Sequence, residues 1–155
     1  MDRNEIIVEI QRRIATHGIV TQCDRNPSRG STHKTYPYAA IHEHDDLADG
    51  YATRNSTATR MGLDVTVELF FIPPDNPNKG STEIVWNAKR VKNIILYNTN
   101  EIDISDGMTP EQPNLGGKCA EIRHKGRSKI LSVIDEDGNT LNGIGLWFHI
   151  KYIET

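Results

Sequence analysis

The segment Met61-Gly-Leu-Asp-Val-Thr-Val-Glu-Leu-Phe-Phe-Ile72 alternates throughout: Leu63, Val65, Val67, Leu69 and Phe71 share one side, and Asp64, Thr66 and Glu68 share the other. Successive side chains leave a strand on opposite faces, so this pattern calls for a β-strand with one dry face and one wet or partnered face. The polar side carries two acids and a hydroxyl at regular spacing, with no catalytic motif attached. That points to a protein that works through its surfaces rather than through chemistry.

The end of the chain repeats the pattern. Ile144, Leu146, Phe148, Ile150 and Tyr152 fall on one side, with Gly145, Trp147, His149, Lys151 and Ile153 on the other. Residues 2–16 read as a helix: Asp2 and Glu5 have capping-box spacing, Ile6, Ile7, Ile10 and Ile14 form an apolar stripe, and Gly18 is the stop. A second amphipathic helix is expected from an N-cap at Ser81 to about Tyr97, carried by Ile84, Val85, Ala88, Val91, Ile94 and Ile95. Further strands are expected at 36–44, 118–123 and 130–134, with an acidic and then Ser/Thr/Asn-rich arm from Asp45 to Thr59. The expected fold class is α+β: a mostly antiparallel sheet with both helices packed on one face and a long β-arm or loop between the first two main strands.

With 155 residues, the chain reads as a single domain spanning 1–155. A net charge of -3 argues against a dedicated nucleic-acid binder. The densest basic group, Arg123, Lys125, Arg127 and Lys129, reads as an edge strand or loop kept soluble by charge. No apolar run reaches the length of about 20 residues of a membrane span, and the N-terminus lacks the basic-then-apolar pattern of a secretory signal. Cytoplasmic synthesis and use are therefore expected, with Cys23 and Cys119 reduced.

Among chemical candidates, His42-Glu43-His44-Asp45-Asp46 ranks first. On a regular strand His42, His44 and Asp46 point the same way and reach toward one ion. Spacing specifies no further ligand, and the simpler reading is a strand end entering a polar loop. The chain contains no G-x-S-x-G elbow, H-E-x-x-H helix or P-loop. The surface features say more. Trp147, Phe70 and Ile72 place large apolar groups on the second face of the sheet, so a loop or another subunit is expected to cover it. The acids Glu43, Asp45, Asp46 and Asp49 read either as solvated charge or as an electronegative surface matched to a basic partner.

The whole arrangement resembles the tail terminator proteins of long-tailed bacteriophages, a family close in pattern to other neck and tail-completion proteins. The likeness rests on the N-terminal helix, the Tyr36-Pro37-Tyr38-Ala39-Ala40-Ile41 strand and the polar arm ending at Arg60. The Leu63–Phe71 strand, the helix from 82 to about 97 and the closing Gly145–Tyr152 strand complete it. The resemblance implies a structural virion protein of the tail or neck, assembled in the host cytoplasm, forming a ring, hexameric in that family. Such a ring caps the tail tube, ends its polymerisation and receives the head. Implied partners are further copies of the chain, the tail tube protein, a head connector or adaptor and any tail sheath; genomic DNA only passes through the lumen, and no membrane is involved. It implies no catalytic residue, no cofactor and no metal. Carried onto this sequence, the subunit-contact or lumen candidates are Glu43, Asp45, Asp46, Asp49, Arg54, Arg60, Asp64, Thr66 and Glu68, to which the exposed aromatic Trp147 is added. The alternatives are another head–tail connector protein, a small metal-dependent enzyme centred on His42, His44 and Asp46, and a monomeric binding module built around Trp147.

Overall fold

A computed structural model of the protein describes residues 2–27, 34–51, 57–75, 77–104 and 110–154. Its elements run α1 (Arg3–His17), β1 (Gln22–Arg25), β2 (Tyr38–Tyr51), β3 (Thr59–Phe71), α2 (Pro77–Tyr97), β4 (Glu121–Arg127), β5 (Leu131–Ile134) and β6 (Thr140–Glu154). The fold is α+β, as the alternation and the helical stripes require: two helices and a six-stranded, mostly antiparallel sheet among the described residues.

The sheet order is β1-β2-β3-β6-β4, with β5 continuing along the same edge of β6 that β4 occupies. The exception to antiparallel pairing is β1, which runs parallel to β2 and pairs with Tyr38 to Ile41. The central ladder is β3 against β6. It runs without a register shift from Thr59 opposite Glu154 to Phe71 opposite Asn142. Directly opposed residues share a face, so Leu63 meets Ile150, Val65 meets Phe148, Val67 meets Leu146 and Leu69 meets Ile144. All eight are buried.

The two helices cover this apolar face. Ile6, Ile7, Ile10 and Ile14 of α1 and Ile84, Ala88, Val91 and Ile95 of α2 join the same core as the sheet residues. Complete burial of each such side chain contributes about 1.5–3 kcal/mol, which makes this one layer the main source of stability. Asp2 caps α1 by accepting from the Asn4 amide at 3.0 Å, and Gly18 ends it in the left-handed conformation that glycine adopts without a Cβ clash.

Four boundaries differ from the sequence reading. Helix α2 begins at Pro77, so Ser81 lies inside it; proline suits a first-turn position, where its missing N–H is not needed. The arm after Asp45 is not loop at its start, because β2 continues to Tyr51 and pairs with β3 as far as Thr59. In the loop-like stretch 19–35, where the sequence suggests a short extended piece at Ile19 to Gln22, the strand forms three residues later, as β1. The strand expected at 118–123 is shifted to Glu121–Arg127. Both cysteines are free; burial pushes each thiol up to about 12, that of Cys23 with help from the nearby Asp24 charge.

Adjacent residues on β6 provide a direct test of the layer. Phe148→Ala, at a buried site, is expected to cost about 3–5 kcal/mol in urea unfolding. Trp147→Ala, on the other face and 45% exposed, should cost about half of a full burial contribution, roughly 1–1.5 kcal/mol.

Candidate functional site: the open face of the sheet

Among the described residues no helix lies on the second face of the sheet. This face presents Tyr38, His42 and His44 from β2, Asp64, Thr66, Glu68 and Phe70 from β3, and Gly145, Trp147, His149 and Lys151 from β6. Cross-strand pairing turns its polar groups into a row of small, local contacts. His42 Nε2 lies 2.6 Å from Glu68 Oε1, His44 Nε2 lies 2.8 Å from Thr66 Oγ1, and His149 Nδ1 lies 2.8 Å from Asp64 Oδ1. Thus Asp64, Thr66 and Glu68, expected to share the polar side, do so, and each has its own histidine.

A β-bulge redistributes the acidic arm. Glu43 pairs with Val65 and Asp46 with Leu63, so three steps along β2 match two along β3 and one residue is extra. The strict period of two is lost at that point. Glu43 faces the helix side by regular alternation, and the extra residue brings Asp46 to that side too, beside α1. Glu43, with its side chain only 4% exposed, accepts from Arg25 Nε at 2.7 Å and Arg3 Nε at 3.0 Å and is also bonded by Asn26. Asp46 pairs with Arg3 at 2.7 Å and accepts the hydroxyl of Tyr152. The Arg25 hydrogen bonds, followed by those from Arg3 and Asn26, hold the Glu43 carboxyl at about 2 against the opposing effect of burial. The Tyr152 hydroxyl and Arg3 hold Asp46 below its usual value.

These two acids correct the sequence reading. Glu43 and Asp46 fasten α1 and β1 to the arm and are not part of an open acidic surface. The same bulge separates the proposed ligand set, leaving His42 and His44 on the open face and turning Asp46 to the other. Among the described residues no group of three or more His, Cys, Asp or Glu side chains is placed to hold a metal ion.

Of the remaining candidates, Asp45 and Asp49 are exposed and make no ion pair with described residues. Asp49 lies at a second irregularity, between Ala48 and Tyr51. Arg60 is exposed on β3, and Arg54 lies outside the described residues. Trp147 stands over two glycines: a Cβ on Gly126 would come within 3.4 Å of the indole, and one on Gly145 within 3.7 Å. Its ring lies along the sheet for this reason, leaving it 45% exposed.

Part of the second face is covered from within. Tyr38 is buried there, donating to Asp24 at 3.0 Å and packing against Phe70 and Tyr36. Lys34 lies over its ring at 5.4 Å. Tyr36 in turn donates to Asp135 at 2.7 Å, the chief cause of an Asp135 carboxyl held near 2. Tyr38 and Phe70 therefore have a local cover, whereas Ile72, 65% exposed, and Trp147 have none among the described residues.

The basic group read from sequence as an edge strand or loop lies on β4, at the edge of the sheet. A bulge between His124 and Gly126 places Lys125 beside Trp147, lining one cavity of about 360 Å³ with His44, Asp64 and Thr66. Arg123, Lys125, His149 and Lys151 line a second, of about 500 Å³. Lys92 of α2 reaches the same edge; burial first, and then the charges of Lys92 and Arg127, push the His124 imidazole below its usual value. The alternation of Arg123, Lys125 and Arg127 was visible in sequence; strand pairing adds Lys151 beside Arg123 and Lys125, while Arg127 lies with Lys92 of α2 on the helix side. No protein-family model matches this chain, and no curated protein matches it.

Acid titration tests the Glu43 cluster. The folded carboxyl, near 2, lies below its ordinary 4.5, so its stabilisation is complete above pH 4.5 and fades as pH falls toward 2. Circular dichroism should show Glu43→Gln to be less stable than wild type at pH 7, with a shallower loss of stability between pH 4.5 and 2.

Proposed function

We propose that this chain is a structural virion subunit of the tail terminator type, forming a ring that caps the phage tail tube and receives the head. The observation that carries the reading is the one-sided construction of the sheet. Both helices bury one face, and the other face leaves Trp147 and Leu47 open to solvent, 45% and 73% exposed, on a frame made rigid by the long β2–β3–β6 ladders. Exposed large apolar side chains set among charges are what a subunit contact requires.

The extended β2–β3 hairpin supports the same reading. It carries the exposed residues Asp45, Leu47, Asp49 and Arg60 past the bulge, where α1 is tied to the sheet through Arg3. An exposed edge of this kind is available to a neighbour or a channel. In this reading the chain has no catalytic residue and no cofactor, and its partners are its own copies, the tail tube protein and a head connector. Another head–tail connector role would use the same surfaces. The metal-enzyme alternative would need Asp46 beside His42 and His44, an arrangement the bulge undoes.

Native mass spectrometry and negative-stain microscopy of the protein, alone and mixed with tail-tube subunits, test the proposal. Rings, or tubes ended by a ring of this protein, are the expected result. A strict monomer that neither assembles nor caps tubes would sink it.

A further inference from the structure

We infer that the subunits meet head to tail, the basic edge formed by β4 and Lys151 of one copy docking on the outer edge of the β2 arm of the next. The inference rests on the ring reading above and adds which surfaces touch. On the basic side, Arg123, Lys125, Arg127 and Lys151 are exposed, and Lys92 stands behind them. Arg123 pairs with Glu121 at 3.4 Å; Lys125, Arg127 and Lys151 make no ion pair with described residues. That is a concentrated positive edge on a protein whose net charge is -3.

The complementary edge lies across the sheet. Strand β1 pairs with β2 only from Tyr38 to Ile41, and beyond that no described strand borders the arm. There Asp45 and Asp49 are exposed and free of ion pairs with described residues, with Leu47 73% exposed between them. Each edge thus combines charge of one sign with one large apolar side chain: acids with Leu47, bases with Trp147.

These edges cannot satisfy each other within one molecule. Two strands, β3 and β6, separate β4 from β2, so at about 4.8 Å per strand Arg123, Lys125 and Arg127 lie roughly 14 Å from the arm on a rigid sheet, and Lys151, on β6, is one strand nearer. That exceeds the screening length of about 8 Å at physiological salt. A second copy brings them together. Because the two surfaces differ, the contact is heterologous, and its repetition closes a ring or extends a filament. Each edge also carries a β-bulge, between Glu43 and Asp46 and between His124 and Gly126. Bulges interrupt a hydrogen-bonding ladder, so the contact joins side chains rather than continuing the sheet from subunit to subunit.

Paired charge reversals provide the test. Lys125→Glu/Arg127→Glu places two acids where the contact meets Asp45 and Asp49, and Asp45→Lys/Asp49→Lys places two cations where it meets Lys125 and Arg127. In sedimentation velocity each variant alone should assemble at least tenfold more weakly than wild type, while an equimolar mixture should recover assembly through alternating subunits. Circular dichroism melts close to wild type will show that both variants fold. Variants that assemble as well as wild type would overturn this contact and leave the ring reading standing; a wild-type chain that never assembles would overturn both. If Lys125→Glu/Arg127→Glu keeps normal assembly but loses retention of a fluorescent single-stranded oligonucleotide, the basic edge belongs to nucleic acid and the inference fails.

Discussion

The unbroken pairing of β3 with β6 is the constraint on which the rest of the molecule depends. From Thr59 opposite Glu154 to Phe71 opposite Asn142 the two strands stay in one register, so two alternating sequences are locked face to face. A slip by one residue would send Leu63, Val65, Val67 and Leu69 to the open side and leave the helices with no apolar layer to bury. The register therefore fixes the core, the place of the helices and the identity of the exposed face together. Trp147 is exposed because Phe148 must be buried.

Against that regular centre, the flanking strands β2 and β4 are irregular, and the surfaces proposed as subunit contacts lie on them. In β2 regular alternation points Glu43 toward α1 and the bulge turns Asp46 to the same side, where Arg3 and Arg25 neutralise them. A buried carboxylate without those partners would be costly, and with them it becomes a tether from α1 and β1 to the arm. A second buried cation works alike: Arg13 of α1 pairs with Glu9 at 3.1 Å and with Glu111, and donates to the Ile95 carbonyl at 3.2 Å, fastening the segment before β4 and the end of α2 to α1. In β4 the bulge delivers Lys125 to the side of Trp147. Charges absorbed by these tethers are unavailable to partners, and those left over, Asp45 and Asp49 on one edge and Lys125, Arg127 and Lys151 on the other, define the surfaces that remain.

Much of this was legible from residue order. The alternation in 61–72 and 144–152 fixed both central strands and their buried faces, and the isoleucine stripe of 2–16 fixed α1 to within one residue at each end. The pairing of Asp64, Thr66 and Glu68 on one face followed from the same period. The start of α2 was misplaced because Ser81 is a good capping residue, yet Pro77 is an equally good first helical residue and lies earlier. The acidic arm was misread for a different reason. Glu43, Asp45, Asp46 and Asp49 look alike in composition, but two are internal ion-pair partners and two are free surface charge.

What the sequence determined by itself was everything governed by a local period: strand or helix, the buried side of each, and hence the α+β class. Those properties depend on side-chain direction over a few residues, which the backbone geometry imposes wherever the chain goes. The tertiary structure decided the destination of individual charges. One extra residue in β2 reverses the facing of Asp46, and only the approach of Arg3, Arg25 and Tyr152 from other elements makes that reversal tolerable. A bulge is a compromise between two strands, so neither strand's sequence contains it alone.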